Sequence, residues 1–428
     1  MQTTRKVIHE DPIVVETPLE RSKRTQASSS SAQTGEEEVQ DTRPVILYLI
    51  TRSDWDDPQK NIYALAEYFA PDYQVQVVYG AHEYTGNHIF KERLSELEVV
   101  QHPLRWLVKG AIIIYDAKAF WEIMRLIHRL DPAVIHSYDA KTTIFVGISR
   151  MLLHFQSRVV ASIYNLSSNH NSPNIIERFV RWMRTRAFRM ADEIVVSDEY
   201  LQSQAVERFE EERVHLIRPG IMELDFVDPA RKRQALAQDA SGSLREKIAD
   251  SQTILLGNIA PLEPEHNPGY ILQALATLKE QGHQFVYIHY GDGSQRHLIK
   301  HEIEQFDLSD CVFLAGRDSY AERYLPVFDL LVHPSSADGM PTLVQSAGLA
   351  RRALVLSPTP GLANAVVNDK EAAMVPARDA DALADKLSYL IEHPERRRSM
   401  GVALEQRVRA DYQPIVMRHR HRELYGVE

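Results

Sequence analysis

The sequence predicts an α/β protein built from two Rossmann-like, doubly wound parallel-sheet units that face each other across a cleft. Three observations predict it. Short continuous apolar runs alternate with longer helical segments, the pattern of strands buried on both faces with helices packed over them. The alternation stops near Leu216-Ile217-Arg218-Pro219-Gly220 and restarts after a polar helical stretch at 227–250. The chain has 428 residues, room for two or three compact units at about 150 residues each.

The first unit opens at Pro44 and is expected to run to Gly220. Val45-Ile46-Leu47-Tyr48-Leu49-Ile50 forms its first strand, a helix over 58–70 follows, and Val75-Gln76-Val77-Val78-Tyr79 forms the second strand. A long helix near 116–130 leads into Ala133-Val134-Ile135-His136, and the runs Arg158 to Tyr164 and Glu193 to Ser197 are further parallel strands. Residues 221–250 are read as a linker or insertion. In the second unit, 251–405, six strands are expected: Thr253 to Leu256, Phe285 to Tyr290, Val312 to Leu314, Leu330 to His333, Ala353 to Leu356 and Ala373 to Val375. Before Pro44, residues 1–43 contain no aromatic side chain, and a run from Ser28 to Ser31 is followed by Glu36, Glu37 and Glu38. Such a segment buries too little apolar surface to offset its ordering entropy, so a disordered tail is expected.

Composition excludes several function classes. The 49 Lys and Arg against 59 Asp and Glu leave a net charge of -10, which opposes nucleic-acid binding by bulk charge. The single cysteine, Cys311, rules out an internal disulfide framework and a Cys-rich zinc site and fits a reducing compartment. No stretch reaches the ~18–20 apolar residues that span a bilayer, and no secretory leader is evident, so a cytoplasmic protein is expected.

Open α/β sheets bind ligands outside the carboxyl ends of their strands, and two strand ends in the second unit carry suitable chemistry. Tyr290-Gly291-Asp292-Gly293-Ser294 follows a strand and precedes a helix, a geometry in which glycines let backbone amides approach a phosphate. Farther on, Phe328-Asp329-Leu330-Leu331-Val332-His333-Pro334-Ser335-Ser336-Ala337-Asp338-Gly339-Met340-Pro341-Thr342 is a buried strand, an acid-bearing loop and a proline at the first helical turn.

Taken in order, Val134-Ile135-His136, Ala191-Asp192-Glu193-Ile194-Val195-Val196-Ser197, the 216–220 linker, Gly257, Gly291-Asp292-Gly293, Gly316, the string from His333 to Pro341 and Gly361 resemble glycosyltransferase family 4. The resemblance covers roughly residues 44–428 and implies the GT-B fold. Residues 406–428, with Asp411-Tyr412 to Tyr425, are similar to the tail helix that crosses back to the first domain in that family. The resemblance implies a retaining, metal-independent sugar transfer with no cofactor. The donor, a UDP- or GDP-sugar, would bind the second unit, and a sugar or lipid-linked acceptor the first, in polysaccharide or glycoconjugate synthesis.

Carried over residue by residue, the family pattern names the site. The first glutamate of its acidic pair falls on Asp338 and the second on Ser346, with Gln345 beside it. The diphosphate arginine falls on Asn258, and His266 is the nearest candidate for the lysine that follows. Asp338 and His333 are therefore the expected catalytic pair. Gly291, Gly293, Gly339, Met340, Pro341, Thr342, Gln345, Ser346, Asn258 and His266 are the expected donor contacts. On the acceptor side stand His136, Tyr164, which replaces a family histidine, and Asn165. The family's glycine-rich first loop reads Ser53-Asp54-Trp55-Asp56-Asp57-Pro58-Gln59-Lys60 here, with no glycine and three acids. It is read as a solvated, helix-capping loop that would repel a diphosphate. These departures define the alternative expectation, a catalytically silent GT-B scaffold that partners an active transferase.

Two segments carry a peripheral contact with the inner face of a membrane as a further expectation. Between Glu177 and Asp192 there are five arginines and no acid. At helical spacing Arg178, Arg181 and Arg189 share one face, opposite Phe179, Met183 and Met190. In 103–129, Trp106, Ile112, Ile113, Ile114 and Trp121 interleave with Arg105, Lys109, Lys118 and Arg125; most of that apolarity is assigned to the core.

Overall fold

The computed structural model describes residues 41–81, 88–97, 99–164, 175–336, 342–362 and 365–427. The segment read as a disordered tail lies, up to residue 40, outside them.

The first lobe runs β1 (Val45–Ile50), α1 (Asp57–Phe69), β2 (Gln74–Gly80), α2 (Ile89–Ser95), β3 (Val100–Leu104), α3 (Ile113–Leu130), β4 (Val134–Ser137), α4 (Ala140–Leu153), β5 (Arg158–Ile163), α5 (Ile175–Met190), β6 (Glu193–Val196), α6 (Glu199–Val206) and β7 (Val214–Leu216). All neighbours pair in parallel, in the order β3-β2-β1-β4-β5-β6-β7. Strand β1 sits centrally because its apolar run satisfies both faces at once. Ile46, Tyr48 and Ile50 pack on one side with α1, while Leu47 and Leu49 pack on the other with α3, α4 and α5. Helix starts are set by side chains: Asp139 and Asp198 accept the backbone N–H of Thr142 and Leu201, and Pro58 occupies the first turn of α1.

The second lobe runs α7 (Pro229–Asp239), α8 (Gly242–Ala249), β8 (Ile254–Ile259), α9 (Pro268–Glu280), β9 (Phe285–Tyr290), α10 (Arg296–Gln305), β10 (Val312–Gly316), β11 (Leu330–His333), α11 (Thr342–Leu349), β12 (Ala353–Leu356), β13 (Ala373–Met374), α12 (Ala380–Glu392) and α13 (Pro394–Asp411). Its strands are again all parallel, in the order β10-β9-β8-β11-β12-β13. Helices α7 and α8, in the stretch read as linker or insertion, bury Leu236, Ala237, Leu244 and Ile248 in this lobe's core. The last helix, α14 (Pro414–Tyr425), returns to the first lobe, where Met417, Leu424 and Tyr425 join the core of β1 and β2.

Two strands escape the sequence reading. Both β3 and β7 lie at the sheet edges. An edge strand faces the core on one side only, and β3 even carries Pro103, so neither shows a continuous apolar run.

Candidate functional site

The two sheets present their carboxyl ends to one cleft. On the first-lobe wall, the loop after β1 is anchored by Asp139, whose carboxylate accepts from the Thr51 N–H, from the Thr51 hydroxyl at 2.9 Å and from the Thr142 N–H at 2.9 Å. Asp54 is buried and receives the Arg52 guanidinium at 2.7 Å; the same arginine meets Asp56 at 3.2 Å. Asp57 points across the cleft, where the Thr342 backbone N–H donates to it. Burial raises its carboxyl to about 6, against the pull of Lys60. Lys60 completes the crossing with an ion pair to Glu322 at 2.7 Å.

The second-lobe wall is built from the ends of β8, β9, β10 and β11. Gly291 is required there: its φ is +147°, and a Cβ would lie 1.8 Å from the Ala260 carbonyl oxygen. Its N–H donates to the Gly316 carbonyl at 2.8 Å, and the Ala260 N–H donates to Tyr290 at 3.0 Å, which draws the three strand ends together. His333 ends β11 and donates from Nδ1 to the Asn258 Oδ1 at 3.1 Å. Burial, with His266 and His289 nearby, pushes its imidazole down to about 3, so it is neutral and its Nε2 is an acceptor. Residues 335 and 336 are stapled to the loop after β8. The His266 ring lies 3.1 Å from the Ser335 hydroxyl, and the Ser336 N–H donates to Glu265 at 2.8 Å.

The Asp57, Lys60 and Glu322 crossing divides the cleft. A cavity of about 590 Å³ on one side is lined by Arg52, Tyr164, His266, Gly291, Arg317 and His333, among others. One of about 610 Å³ on the other includes Gln345, Ser346, Gly220, Met222 and Tyr320. Asp57, Lys60, Glu322 and Thr342 line both.

Family models match both halves of this architecture: Glycosyltransferase Family 4 over residues 59–222 and Glycosyl transferases group 1 over residues 243–407. The chain belongs to the family 4-like glycosyltransferases of GT-B fold. EpsF of Bacillus subtilis (strain 168), which carries a glycosyltransferase name, is 31% identical over 143 residues, 33% of this chain and 35% of that one. The amylovoran biosynthesis glycosyltransferase AmsK of Erwinia amylovora is 29% identical over 150 residues, 33% of this chain and 37% of that one. The chain thus spans about a third of the length of the curated relatives it matches. Two solved structures share the fold. HepE of Anabaena in complex with UDP-glucose has a TM-score of 0.73 and 15% identity over 90% of this chain and 100% of its own. Sucrose-phosphate synthase of Thermosynechococcus elongatus has a TM-score of 0.70 and 16% identity over 90% of this chain and 98% of its own.

Against this family 4-like frame, the structure brings His333, His266, Gly291, Thr342 and Tyr164 to one cavity and sets Gln345 and Ser346, both buried on α11, at the other. Asp338, Gly339, Met340, Pro341 and Asn165 lie outside the described residues. Several expectations are corrected. Asn258 is fully buried on β8 behind His333 and lines neither of the two cavities, whose wall is reached by Ile259, the next residue of the strand. His266 is not a substitute cation, since burial is the largest influence on its ring and holds it below the ordinary 6.5. The Gly293 and Ser294 N–H groups are already taken, at 2.9 Å each, by the Asp292 and Glu263 carboxylates. Gly293 instead serves packing, as a Cβ would lie 2.5 Å from the Leu262 carbonyl. His136 is sealed in the core between the Tyr425 hydroxyl at 2.7 Å and the Ser162 hydroxyl at 2.8 Å, away from the cleft. The first loop is not a solvated cap: Asp54 is buried and Asp56, at the helix cap, makes no capping hydrogen bond.

The GT-B wall also holds a cation that sequence reasoning missed. Arg317, just after the Gly316 that ends β10, is exposed and lines the cavity. Arg52 and Lys60 are both committed to carboxylates, so Arg317 is the arginine or lysine of this cavity without an ion pair among the described residues. The signal available was its position after a strand-end glycine. On α5, the exposed stripe is Arg178, Trp182, Arg186 and Arg189 rather than an all-arginine face, and Arg181's side chain lies outside the described residues.

Proposed function

We propose that this protein transfers a glycosyl group from a nucleotide sugar to a saccharide or lipid-linked acceptor, in the assembly of a polysaccharide or glycoconjugate. The observation that carries this reading is the cleft wall where Arg317, the α11 amide at Thr342 and the strand-end turn at Gly291 converge. In such a transfer the bond from the sugar's anomeric carbon to the diphosphate breaks and a bond to an acceptor oxygen forms, so negative charge grows on the leaving group. A cation and a helix N-terminus are suited to that charge. In this reading Arg317 takes the place of the basic pair. Neutral His333 accepts from a sugar hydroxyl through Nε2, Ser346 and Gln345 face the nucleoside side, and Tyr164 lies on the acceptor side. The exposed Arg178, Arg186 and Arg189 add a peripheral contact with an anionic leaflet.

The second reading, a silent scaffold, is favoured by one observation: the Asp57 carboxyl already occupies the Thr342 amide. Thermal unfolding with UDP-, GDP- and ADP-sugars separates the two, because a ligand that binds only the folded state raises the melting temperature by mass action. A rise with one nucleotide class, together with slow hydrolysis of that donor, supports transfer. Absence of any shift at millimolar donor, with and without a saccharide acceptor, leaves the scaffold.

A further inference from the structure

Residues 109–115, Lys-Gly-Ala-Ile-Ile-Ile-Tyr, are exposed without interruption. Ile113 is 87% and Ile114 68% exposed, and Trp121 two turns along α3 is 55% exposed. Ordinary surfaces scatter such residues singly. Here they are consecutive, and the fold holds them out in a fixed shape. Lys141 of α4 donates to the Val108 carbonyl at 2.7 Å, to the Gly110 carbonyl, and to Asp116 at 2.6 Å. Asp116 in turn accepts the Ile112 N–H at 3.0 Å. The segment is therefore a supported tip.

What surrounds the tip says what it fits. Lys118 lies 3.9 Å and Arg105 5.1 Å from the Trp106 ring, which packs edge-on against Tyr115 at 5.1 Å. Asp116, the acid that follows the tip in the chain, is already paired with Lys141, and Lys109 faces the acids Asp56 and Glu263. Apolar residues ringed by tryptophan, tyrosine and cations match the interfacial region of an anionic bilayer, where aromatic rings sit at headgroup level and lysine and arginine meet lipid phosphates. The neighbouring α5, in the same helical layer as α3 and α4, presents Arg178, Trp182, Arg186 and Arg189 outward. The tip also has a place relative to the cleft: it follows β3 at the carboxyl edge of the first sheet, the edge that faces the cleft, and Lys109 is close enough to Asp56 on the first-lobe loop and to Glu263 to favour their charged forms.

We propose that this protein docks on an anionic lipid surface by inserting Ile112, Ile113 and Ile114, so that the mouth of the cleft faces the headgroups. This deepens the peripheral contact read above, since it adds insertion and orientation to charge, and it favours an acceptor presented from the membrane plane. It does not depend on donor binding.

The test uses the full chain and vesicles of phosphatidylglycerol and phosphatidylcholine against vesicles of phosphatidylcholine alone, read by co-sedimentation. Binding to the anionic vesicles is expected, with about tenfold or greater loss in Ile113→Glu with Ile114→Glu, because charged groups are strongly disfavoured in hydrocarbon. Both side chains are exposed, so an unchanged melting temperature certifies the variant's fold. A nitroxide on Ile113→Cys should become protected from a water-soluble relaxation agent when vesicles are added. Binding that 0.5 M salt abolishes and the glutamates leave intact would overturn insertion and leave only the arginine stripe. Failure of the wild type to bind, or dimers that dissolve in the glutamate variant, would overturn the lipid surface altogether. Donor-induced thermal shifts are the same in every outcome, so the transferase reading stands or falls separately.

Discussion

At the scale of single residues, the sharpest tension lies at Asp57. Its carboxyl is raised to about 6 by burial, even though the Thr342 amide and Lys60 favour the charged form. A carboxyl raised on folding contributes stability that is fully present below its unfolded value near 3.8 and is lost as pH climbs through about 6. At neutral pH the fold therefore carries a cost there. Asp57→Asn keeps the shape and removes that cost. It should raise the melting temperature at pH 7.5, by the equivalent of about 1 kcal/mol once the water of the cleft is allowed for, and should match the wild type at pH 3.5. A lower melting temperature at pH 7.5 would mean that the contact with Lys60 and Glu322 outweighs burial. Arg317 makes the converse case. Exposed and outside any ion pair among the described residues, it contributes little to folding, so Arg317→Ala should leave the melting temperature unchanged. It should weaken nucleotide-sugar binding by about tenfold or more, the size of one lost charge-assisted contact. Calorimetric titration checks this, and equal affinities would remove Arg317 from the donor site.

At the scale of elements, α14 is a lid on a buried polar cluster. His136 lies under it, with its ring centroid 5.7 Å from that of His421 on the buried face of α14, and Tyr425, also of α14, links His136 to Tyr48. Burial lowers both imidazoles, His421 to about 4. Groups depressed on folding give stability that is whole above the unfolded value of 6.5 and is lost as pH falls toward the folded one. The first lobe should accordingly lose melting temperature between pH 6.5 and 4. Among the described residues the Nε2 of His421 is buried without a hydrogen-bond partner, so His421→Leu should reduce that loss while leaving stability at pH 7.5 nearly unchanged. An identical acid profile in the variant would assign the loss to other groups.

The same elements show what a sequence discloses. Strands such as β1 and β11, buried on both faces, announce themselves by composition alone, and with them the doubly wound fold and the strand end at His333. Edge strands β3 and β7 do not, because half their surroundings are water. In the site, residues that act through their own strand end could be placed. Those whose role depends on a second element could not: Asp57 and Lys60 take their meaning from Glu322 and Thr342, more than 250 positions away. His136 was misplaced for the same reason, since α14, which closes over it, lies 289 residues on in the chain.

At the scale of the whole molecule, the chain passes between lobes twice, and the two passages touch. The first, after Ile217, has the Ile221 N–H donating to the Tyr412 carbonyl at 2.8 Å; the second runs from Tyr412 to Pro414 and into α14. Gly220 sits where they are closest. A Cβ there would lie 2.7 Å from the Pro414 Cα, and its N–H meets the Met417 sulfur at 3.0 Å. Backbone cannot yield as a flexible side chain does, so Gly220→Ala must push the crossings apart. The expected cost is about 1–3 kcal/mol, the usual price of overpacking. The loss should not stay local, because α14 carries Met417 and Tyr425 into the first lobe's core while α13, just before the crossing, packs on the second. The variant should therefore melt lower and expose the peptide bond between Tyr412 and Gln413 to chymotrypsin faster, and its radius of gyration by small-angle scattering should respond more to added nucleotide sugar as the Lys60 to Glu322 bridge is strained. If melting, cleavage and scattering all match the wild type, the crossings slide freely and the lobes are hinged elsewhere.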